Sequence, residues 1–391
     1  MRARVVIFGF IVAMAPAFAQ AELADCSCTD FDKLQQELEN AVTLRDRHQA
    51  KADEMERRLK AGESMDHLKA EYKSWEEDTS KGAGAGIVAT VPGQSVAIQY
   101  VSLGDKITLE GWSSPVTKDG YTTNQYDAKK AHDVEENFRK NNKGKDLCDF
   151  SEPEKISQGA EKTGFCKAVR DIIIAHEENH RKTCLNMGYV AFFLRSPVEI
   201  ARDEVNAYNK QIEALEKEIG KALKGAEAQF ESSSTMSFSA QVVNFQFSHT
   251  VPPIKGKIPD NDGKTWSVNL KGTHKSVADK ILMAGMSCSM PSFTRDIDLS
   301  VAASGKQTTI TFNSFGPQPK ITMKCPNGGH GSSLGGGSDR SGESFVMPLK
   351  LSSSHSEDAA KSKIADMLRG AMKVSGTIQS KLTIICPPAK P

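Results

Sequence analysis

The spacing of apolar residues changes along this 391-residue chain, and the change limits the folds that it can adopt. In residues 29–80, and again from about 162 to 224, apolar side chains recur every three or four positions, which is typical of amphipathic helices. Segments within 87–112, and many short segments beyond Gly225, alternate apolar and polar residues, which predicts strands. We therefore expect an α+β protein of two or three domains.

These patterns divide the chain into four regions. We expect a signal peptide at 1–19, a helical hairpin or short coiled-coil arm at 20–80, a domain with a small sheet and helices at 81–225, and a β-rich, sandwich-like domain at 226–391. The sequence KGAGAG at 81–86 is typical of a linker after the hairpin. The apolar seam of the arm offers a surface for a protein partner.

The N-terminus predicts export. Arg2 and Arg4 precede VVIFGFIVAMAPAFA, which ends in the small-x-small pattern of a cleavage site. Because this run is too short for a membrane-spanning helix, we predict a signal peptide cleaved after Ala19 and a periplasmic or secreted protein without a membrane span. LADC at 23–26 hints at a lipoprotein signal, but the aspartate directly before the cysteine fits one poorly.

The charge of the chain does not favour a nucleic acid partner. The formal net charge is +1, from 50 basic and 49 acidic residues. It becomes −1 when residues 1–19 leave, since they carry two arginines and no acidic residue. A nearly neutral protein has no general electrostatic attraction for nucleic acid or for an anionic membrane.

The cysteines predict structural disulfides in an oxidising compartment. Eight of them stand at 26, 28, 148, 166, 184, 288, 325 and 386, so full pairing requires at least one bond between regions far apart in sequence. Cys166 and Cys184 are expected on one helix, about 27 Å apart. They cannot bond to each other there, and Cys148 is a candidate partner for either. The chain has no CxxC pair, which argues against a cysteine zinc site or a thiol redox motif.

The segment IIIAHEENHRKTC at 172–184 carries the strongest chemical signal. His176 and His180 are four residues apart, so on a helix both imidazoles lie on one face and can bind one ion. Glu177 borders the same apolar face, where it can accept a proton from an activated water molecule beside a metal. The spacing His-Glu-x-x-His is the zinc metallopeptidase pattern. The alternative is a helix with two partly buried, hydrogen-bonded histidines.

A third ligand distinguishes these alternatives, because a catalytic zinc usually keeps three protein ligands and one open position. Glu199 and Glu204 are the acidic candidates. SPVE at 196–199 predicts a capping box, in which Glu199 turns toward the start of its own helix. Glu204 lies within the apolar stripe of that helix, where a lone carboxylate is costly and a metal-bound one is not. In an antiparallel helix pair, Glu204 and His180 also lie at matching heights.

This arrangement resembles the HExxH zinc metallopeptidases of the gluzincin type. The resemblance rests on His176-Glu177-x-x-His180 and on EVNA at 204–207, and it covers about 165–215. In many of these enzymes, the third ligand is the first residue of a Glu-x-x-Ala motif on the next helix. The small residue of that motif lets the two helices approach closely.

Carried over to this chain, the resemblance implies one zinc ion, bound by His176, His180 and Glu204. It implies that Glu177 is the general base that takes a proton from a zinc-activated water. It also implies a zincin-like metallopeptidase fold for 81–225, with the two helices at its active site.

The chain departs from this family at Tyr208, where many members have an aspartate that orients a ligand histidine. Asp203 is a candidate for that task at His176. Tyr208 and Tyr189 are candidates for stabilising the oxyanion, although each is more commonly a core residue.

The leading hypothesis is an exported zinc metallopeptidase with a peptide or protein substrate. A strand within 87–112 can hold an extended peptide by β-augmentation. The alternative is a non-enzymatic periplasmic binding or assembly protein, whose zinc is structural or absent. A toxin-like effector would use the same protease chemistry. Substitution of Glu177 separates the first two hypotheses, because only a peptidase loses hydrolysis while it keeps its zinc and its fold.

Overall fold

The computed structural model describes residues 23–82, 113–118, 121–126, 136, 140, 148, 153–188, 191–192, 195–317, 322–326, 330–331, 342–362, 365–366 and 371–388. The predicted signal peptide and the predicted strands at 87–112 lie outside these residues. The described part contains long helices and a large antiparallel sheet, which confirms the α+β class. None of its helices has both the length and the apolar character needed to cross a bilayer.

Five helices have described bounds and form one layer of the protein. They are α1 (Phe31–Lys60), α2 (Met65–Gly82), α3 (Pro153–Thr163), α4 (Lys167–Met187) and α5 (Pro197–Ala222). The hairpin of α1 and α2 packs along α5 rather than extending into solvent. Its apolar face, with Met55 and Leu68, is buried against Val198 and Ala201 of α5. The seam that the sequence offered to a protein partner is thus covered by the chain itself.

The helix α5 begins where its local signal predicts. The Ser196 hydroxyl accepts a hydrogen bond from the Glu199 amide at 3.2 Å, and the Glu199 carboxylate accepts one from the Ser196 amide at 2.7 Å. This capping box confirms the explanation given for Glu199. The helices α4 and α5 are antiparallel, since Thr183 contacts Asp203 whereas the earlier His176 contacts the later Tyr208.

One antiparallel sheet contains most of the described strands, in the order β11-β8-β7-β5-β4-β3-β13-β12, with β6 beside β5. Its strands are β3 (Glu227–Ala240), β4 (Val243–Lys257), β5 (Thr265–Met283), β6 (Met286–Cys288), β7 (Phe293–Ser304), β8 (Gln307–Phe315), β11 (Ser344–Pro348), β12 (Ser352–Asp358) and β13 (Lys373–Ile385). Two separate antiparallel pairs are β1 (Ser113–Lys118) with β2 (Tyr121–Tyr126), and β9 (Met323–Lys324) with β10 (His330–Gly331).

The large sheet differs from the predicted sandwich of short strands. Its strand β5 spans 19 residues, and the edge strands β11 and β12 contact each other, so a single sheet curls until it is nearly closed. Register shifts between β3 and β4, β4 and β5, and β7 and β8 mark irregularities of the β-bulge kind. Such bulges bend and twist strands, which allows one sheet to enclose its own core.

A shared core joins the helices to the sheet. One apolar cluster contains Phe31 of α1, Leu215 of α5, and Phe230 and Phe312 of the sheet. A second cluster within the sheet contains Met236, Phe238, Phe245 and Ile281. Because the first cluster is continuous, the helix layer is packed directly on the sheet.

Four disulfides are formed, as the even cysteine count predicts. They are Cys26–Cys166, Cys28–Cys386, Cys148–Cys184 and Cys288–Cys325. Cys166 and Cys184 do not bond to each other, as expected, and Cys148 is the partner of Cys184. Four such bonds indicate an extracellular or otherwise oxidising compartment.

The loop between β4 and β5 meets α5 at Gly263, and this contact generates a stability prediction. A Cβ at Gly263 would lie 1.6 Å from the Glu216 carbonyl oxygen, and the residue has a φ of +81°. We expect Gly263→Ala to lower the free energy of unfolding by about 2–5 kcal/mol, from about 1–2 kcal/mol for the left-handed backbone and about 1–3 kcal/mol for the overlap. Denaturant unfolding measures the change.

The matched control is Gly225→Ala, because Gly225 has the same φ of +81° but no neighbouring atom within 4 Å of the position that a Cβ would take. Gly225→Ala should lower the free energy of unfolding only by the cost of the left-handed backbone, about 1–2 kcal/mol. Equal losses of stability in the two variants would refute the tight contact between the loop and α5.

Candidate metal centre

The helices α4 and α5 bring His176, His180 and Glu204 together. One ligand atom from each residue lies within 4.8 Å of the others. The two Nε2 atoms of the histidines are 3.3 Å apart. The Glu204 carboxylate oxygens lie 3.4 Å from Nε2 of His180 and 3.6 Å from Nε2 of His176. The three residues singled out as ligands from the sequence thus form a compact triangle of donor atoms.

This triangle fits a zinc ion. Donor atoms about 2.0–2.1 Å from zinc in a tetrahedral arrangement lie about 3.3 Å from one another. The two Nε2 atoms are 3.3 Å apart, and the distances of 3.4 Å from His180 to Oε1 of Glu204 and 3.6 Å from His176 to Oε2 are close to that value. Two imidazole nitrogens and one carboxylate oxygen are also a donor set that catalytic zinc sites use.

Asp203 fixes the orientation of His180. Its Oδ2 atom lies 2.8 Å from Nδ1 of His180, which leaves Nε2 facing the other ligands. Asp203 also accepts hydrogen bonds from Arg195 at 2.8 Å and from the Thr183 hydroxyl at 2.9 Å. Such a carboxylate behind a ligand histidine sets its tautomer and makes it a better ligand.

The structure corrects the expectation that Asp203 orients His176. Successive helical residues point about 100° apart, so Asp203 faces a different part of α4 from Glu204 and meets His180 and Thr183. His176 is held by packing instead, with its ring centroid 4.6 Å from that of Tyr208. Among the described residues, Nδ1 of His176 is buried and has no hydrogen-bond partner.

Burial and charge act in opposite directions on the pKa values of this site. Burial lowers the pKa of His180, but the carboxylates of Glu204 and Asp203 outweigh burial and raise it well above its ordinary value. Burial raises the pKa of Glu204, but the two histidines outweigh burial and hold it well below its ordinary value. Without a metal, His180 and Glu204 therefore form an imidazolium–carboxylate ion pair.

Glu177 lies buried on α4, with 7% of its surface exposed. Burial lowers the pKa of His180 and raises that of Tyr208, and the negative charge of Glu177 acts to raise both. Of the tyrosines considered from the sequence, Tyr208 packs on His176, whereas Tyr189 lies outside the described residues.

The hairpin contributes a residue that the sequence analysis did not identify. His48 of α1 is 5% exposed, and its ring centroid lies 5.7 Å from that of Tyr208. Burial lowers the pKa of His48, the Glu204 charge opposes this, and His176 and His180 lower the pKa further. Its position on the apolar face of α1 could have identified His48 as a buried residue, but such a position is equally typical of a histidine that only packs in the core.

A second group of possible metal ligands fits an ion less well than His176, His180 and Glu204 do. Glu63, His67 and Glu71 lie around the turn of the hairpin and bring their ligand atoms within 4.8 Å of one another. The carboxylates of Glu63 and Glu71 already bind the Arg58 guanidinium, at 2.5 and 2.7 Å. These ion pairs explain the cluster without an ion.

No protein-family model matches this chain, no curated protein matches it, and no solved structure matches it. The assignment of a function therefore rests on the chemistry of the site.

The contact between Asp203 and His180 predicts a loss of metal affinity in Asp203→Asn. A neutral amide is a weaker acceptor for the imidazole N–H, and changes behind a ligand histidine typically cost about 10–100-fold in affinity. Competition with a chromogenic chelator measures the zinc dissociation constant. Asp171→Asn is the control, since that exposed carboxylate of α4 pairs with Arg170. Equal affinities in the two variants would show that Asp203 does not support the site.

The raised pKa of His180 predicts that zinc binding releases a proton. At neutral pH the metal-free protein holds a proton on His180, and a ligand imidazole must be neutral, so about one proton should leave per zinc bound. The affinity should therefore increase with pH until His180 is deprotonated in the metal-free protein. Calorimetry in buffers with different ionisation enthalpies measures the released protons, and a binding enthalpy independent of buffer at pH 7 would refute the ion pair.

Proposed function

We propose that this protein is an exported zinc-dependent peptidase that hydrolyses peptide bonds. The observation that carries the proposal is the group of His176, His180 and Glu204, in which the two Nε2 atoms are 3.3 Å apart and lie 3.4 and 3.6 Å from the two oxygens of the Glu204 carboxylate. Three protein donors leave a fourth position open to water and substrate. A zinc ion bound there would supply a Lewis acid that polarises the scissile carbonyl and makes a water molecule more acidic.

The environment of each carboxylate indicates its role. Glu204 has a pKa held well below its ordinary value and stays ionised, which suits a ligand. Asp203 is occupied by hydrogen bonds from His180 and Arg195. Glu177 remains as the general base, since it lies beside His176 in sequence and is buried with it on α4. It would take the proton of the attacking water and deliver it to the leaving amine.

The disulfides support the proposed location of this activity. Four bonds in one chain are typical of proteins that fold in oxidising compartments, such as the periplasm or the extracellular space. We propose that the substrate there is a peptide or a protein. The strand-like segments at 87–112, predicted from the sequence, would hold it in an extended conformation.

The test of the proposal begins with zinc in the mature protein, residues 20–391. The wild type should bind one zinc ion per chain, and Glu204→Ala should lose it or bind it much more weakly, because two histidines alone are a poor site. Metal analysis after dialysis against a zinc buffer measures this. A wild type without zinc, even after reconstitution, would refute the proposal.

The second step separates catalysis from a structural zinc. Glu177→Gln should keep its zinc and its fold but cleave a library of quenched peptides about 10²–10⁴-fold more slowly, since it lacks the general base. Glu178→Gln is the matched control, because the neighbouring carboxylate binds Arg181 on the outer side of α4. Zinc binding without any cleavage by the wild type would favour the non-enzymatic binding or assembly protein.

A further inference from the structure

A cluster of rings connects the α1–α2 hairpin to the candidate metal centre. The His48 ring centroid lies 5.1 Å from Trp75 and 5.7 Å from Tyr208. Tyr208 in turn contacts the ligand His176, with ring centroids 4.6 Å apart. The Tyr208 ring therefore lies between His48 and the proposed ligand His176, although the two histidines are 128 residues apart in sequence.

His48 lies beside the proposed ligands without being one of them. Among the described residues, His176, His180 and Glu204 form a group with ligand spacing, and His48 is not part of that group. It is nevertheless close enough for all three to affect its pKa. This buried imidazole therefore lies next to the proposed ligand group but outside it.

Tyr72 of α2 holds one nitrogen of this imidazole. The Tyr72 hydroxyl oxygen lies 3.1 Å from Nδ1 of His48, and both side chains are buried. Burial raises the pKa of the Tyr72 phenol, so the phenol keeps its proton and can donate it to Nδ1. Burial lowers the pKa of His48, which favours the neutral ring, and a hydrogen bond donated by Tyr72 to Nδ1 leaves the single proton of that ring on Nε2. His48 thus offers an N–H donor on the side away from Tyr72.

We propose that His48 is a catalytic residue of the proposed peptidase, whose Nε2–H donates a hydrogen bond to the carbonyl oxygen of the peptide bond under attack, and that Tyr72 positions it. This inference rests on the proposed function. Negative charge develops on that oxygen in the transition state, and a fixed donor in a site with little water stabilises it strongly. The proton stays on His48, so the step needs no additional acid or oxidant.

The central test is His48→Phe, which keeps a flat ring in the cluster but removes the donor. Its kcat should fall about 10²–10³-fold, as with other single oxyanion donors, while KM changes little and one zinc stays bound. His48→Gln should recover part of kcat, because its amide retains an N–H donor. Tyr72→Phe should reduce kcat by an intermediate factor, since it removes the hydrogen bond that positions the His48 imidazole but keeps the imidazole itself. Circular dichroism confirms that each variant is folded.

A binding measurement makes the test independent of turnover. A peptide phosphonamidate, whose tetrahedral phosphorus imitates the transition state, should lose affinity for His48→Phe by a factor similar to the loss of kcat. An uncleaved peptide should bind equally well to Glu177→Gln with and without His48→Phe. His67→Phe is the matched control, because this histidine of the hairpin is exposed and binds Glu63; it should leave all three measurements unchanged.

Three results would overturn the assignment of His48. Loss of zinc from His48→Phe would make His48 a ligand. Unchanged kcat and phosphonamidate affinity would show that the ring only packs. A lower kcat and phosphonamidate affinity in Tyr208→Phe, but not in His48→Phe, would assign the oxyanion donor to Tyr208 instead. A failure of the proposed function itself is recognised separately in the wild type, as absence of zinc or of cleavage, and this inference then fails with it.

Discussion

The buried ion pair between His180 and Glu204 is the interaction on which the rest of the site depends. Charges removed from water are costly unless other groups compensate them, and here Asp203 and Arg195 do so behind His180. The two helices are joined beside the donor atoms by hydrogen bonds from His180 and Thr183 of α4 to Asp203 of α5, and α4 is tied to other parts of the chain by a disulfide at each end, through Cys166 and Cys184. At the proposed metal site, histidine and carboxylate therefore neutralise each other, and a bound ion would replace the proton.

Local signals predicted the parts of this protein that a single helix determines. The i, i+4 spacing of His176 and His180 and the capping box of Glu199 depend only on nearby residues, and the structure has both as expected. The prediction that Asp203 contacts His176 was wrong, because Asp203 contacts His180. A shift of one residue along a helix turns the side chain by about 100° and so changes which neighbour it meets. A family pattern gives the residue type but not this direction.

Long-range packing produced the features that the sequence did not predict. Alternating burial shows which face of a strand points inward, but it does not show whether strands form two sheets or curl as one. The position of His48 has the same cause. Only the docking of α1 on α5, through contacts far apart in sequence, brings it to Tyr208 beside the proposed ligands. A histidine in an apolar helical stripe is therefore informative only when the helix on which it packs is known.

The connectivity of the disulfides has a consequence for biogenesis. Cys26 and Cys28 leave the ribosome first, yet their native partners are 140 and 358 residues further along the chain. Neither bonds to the other or to Cys148, the next cysteine to emerge. Bonds formed in order of emergence would therefore be wrong and must be exchanged, a reaction that takes seconds to hours without help from an isomerase. The native pairing therefore requires either that Cys26 and Cys28 stay reduced until their partners arrive or that the cell supplies thiol–disulfide exchange.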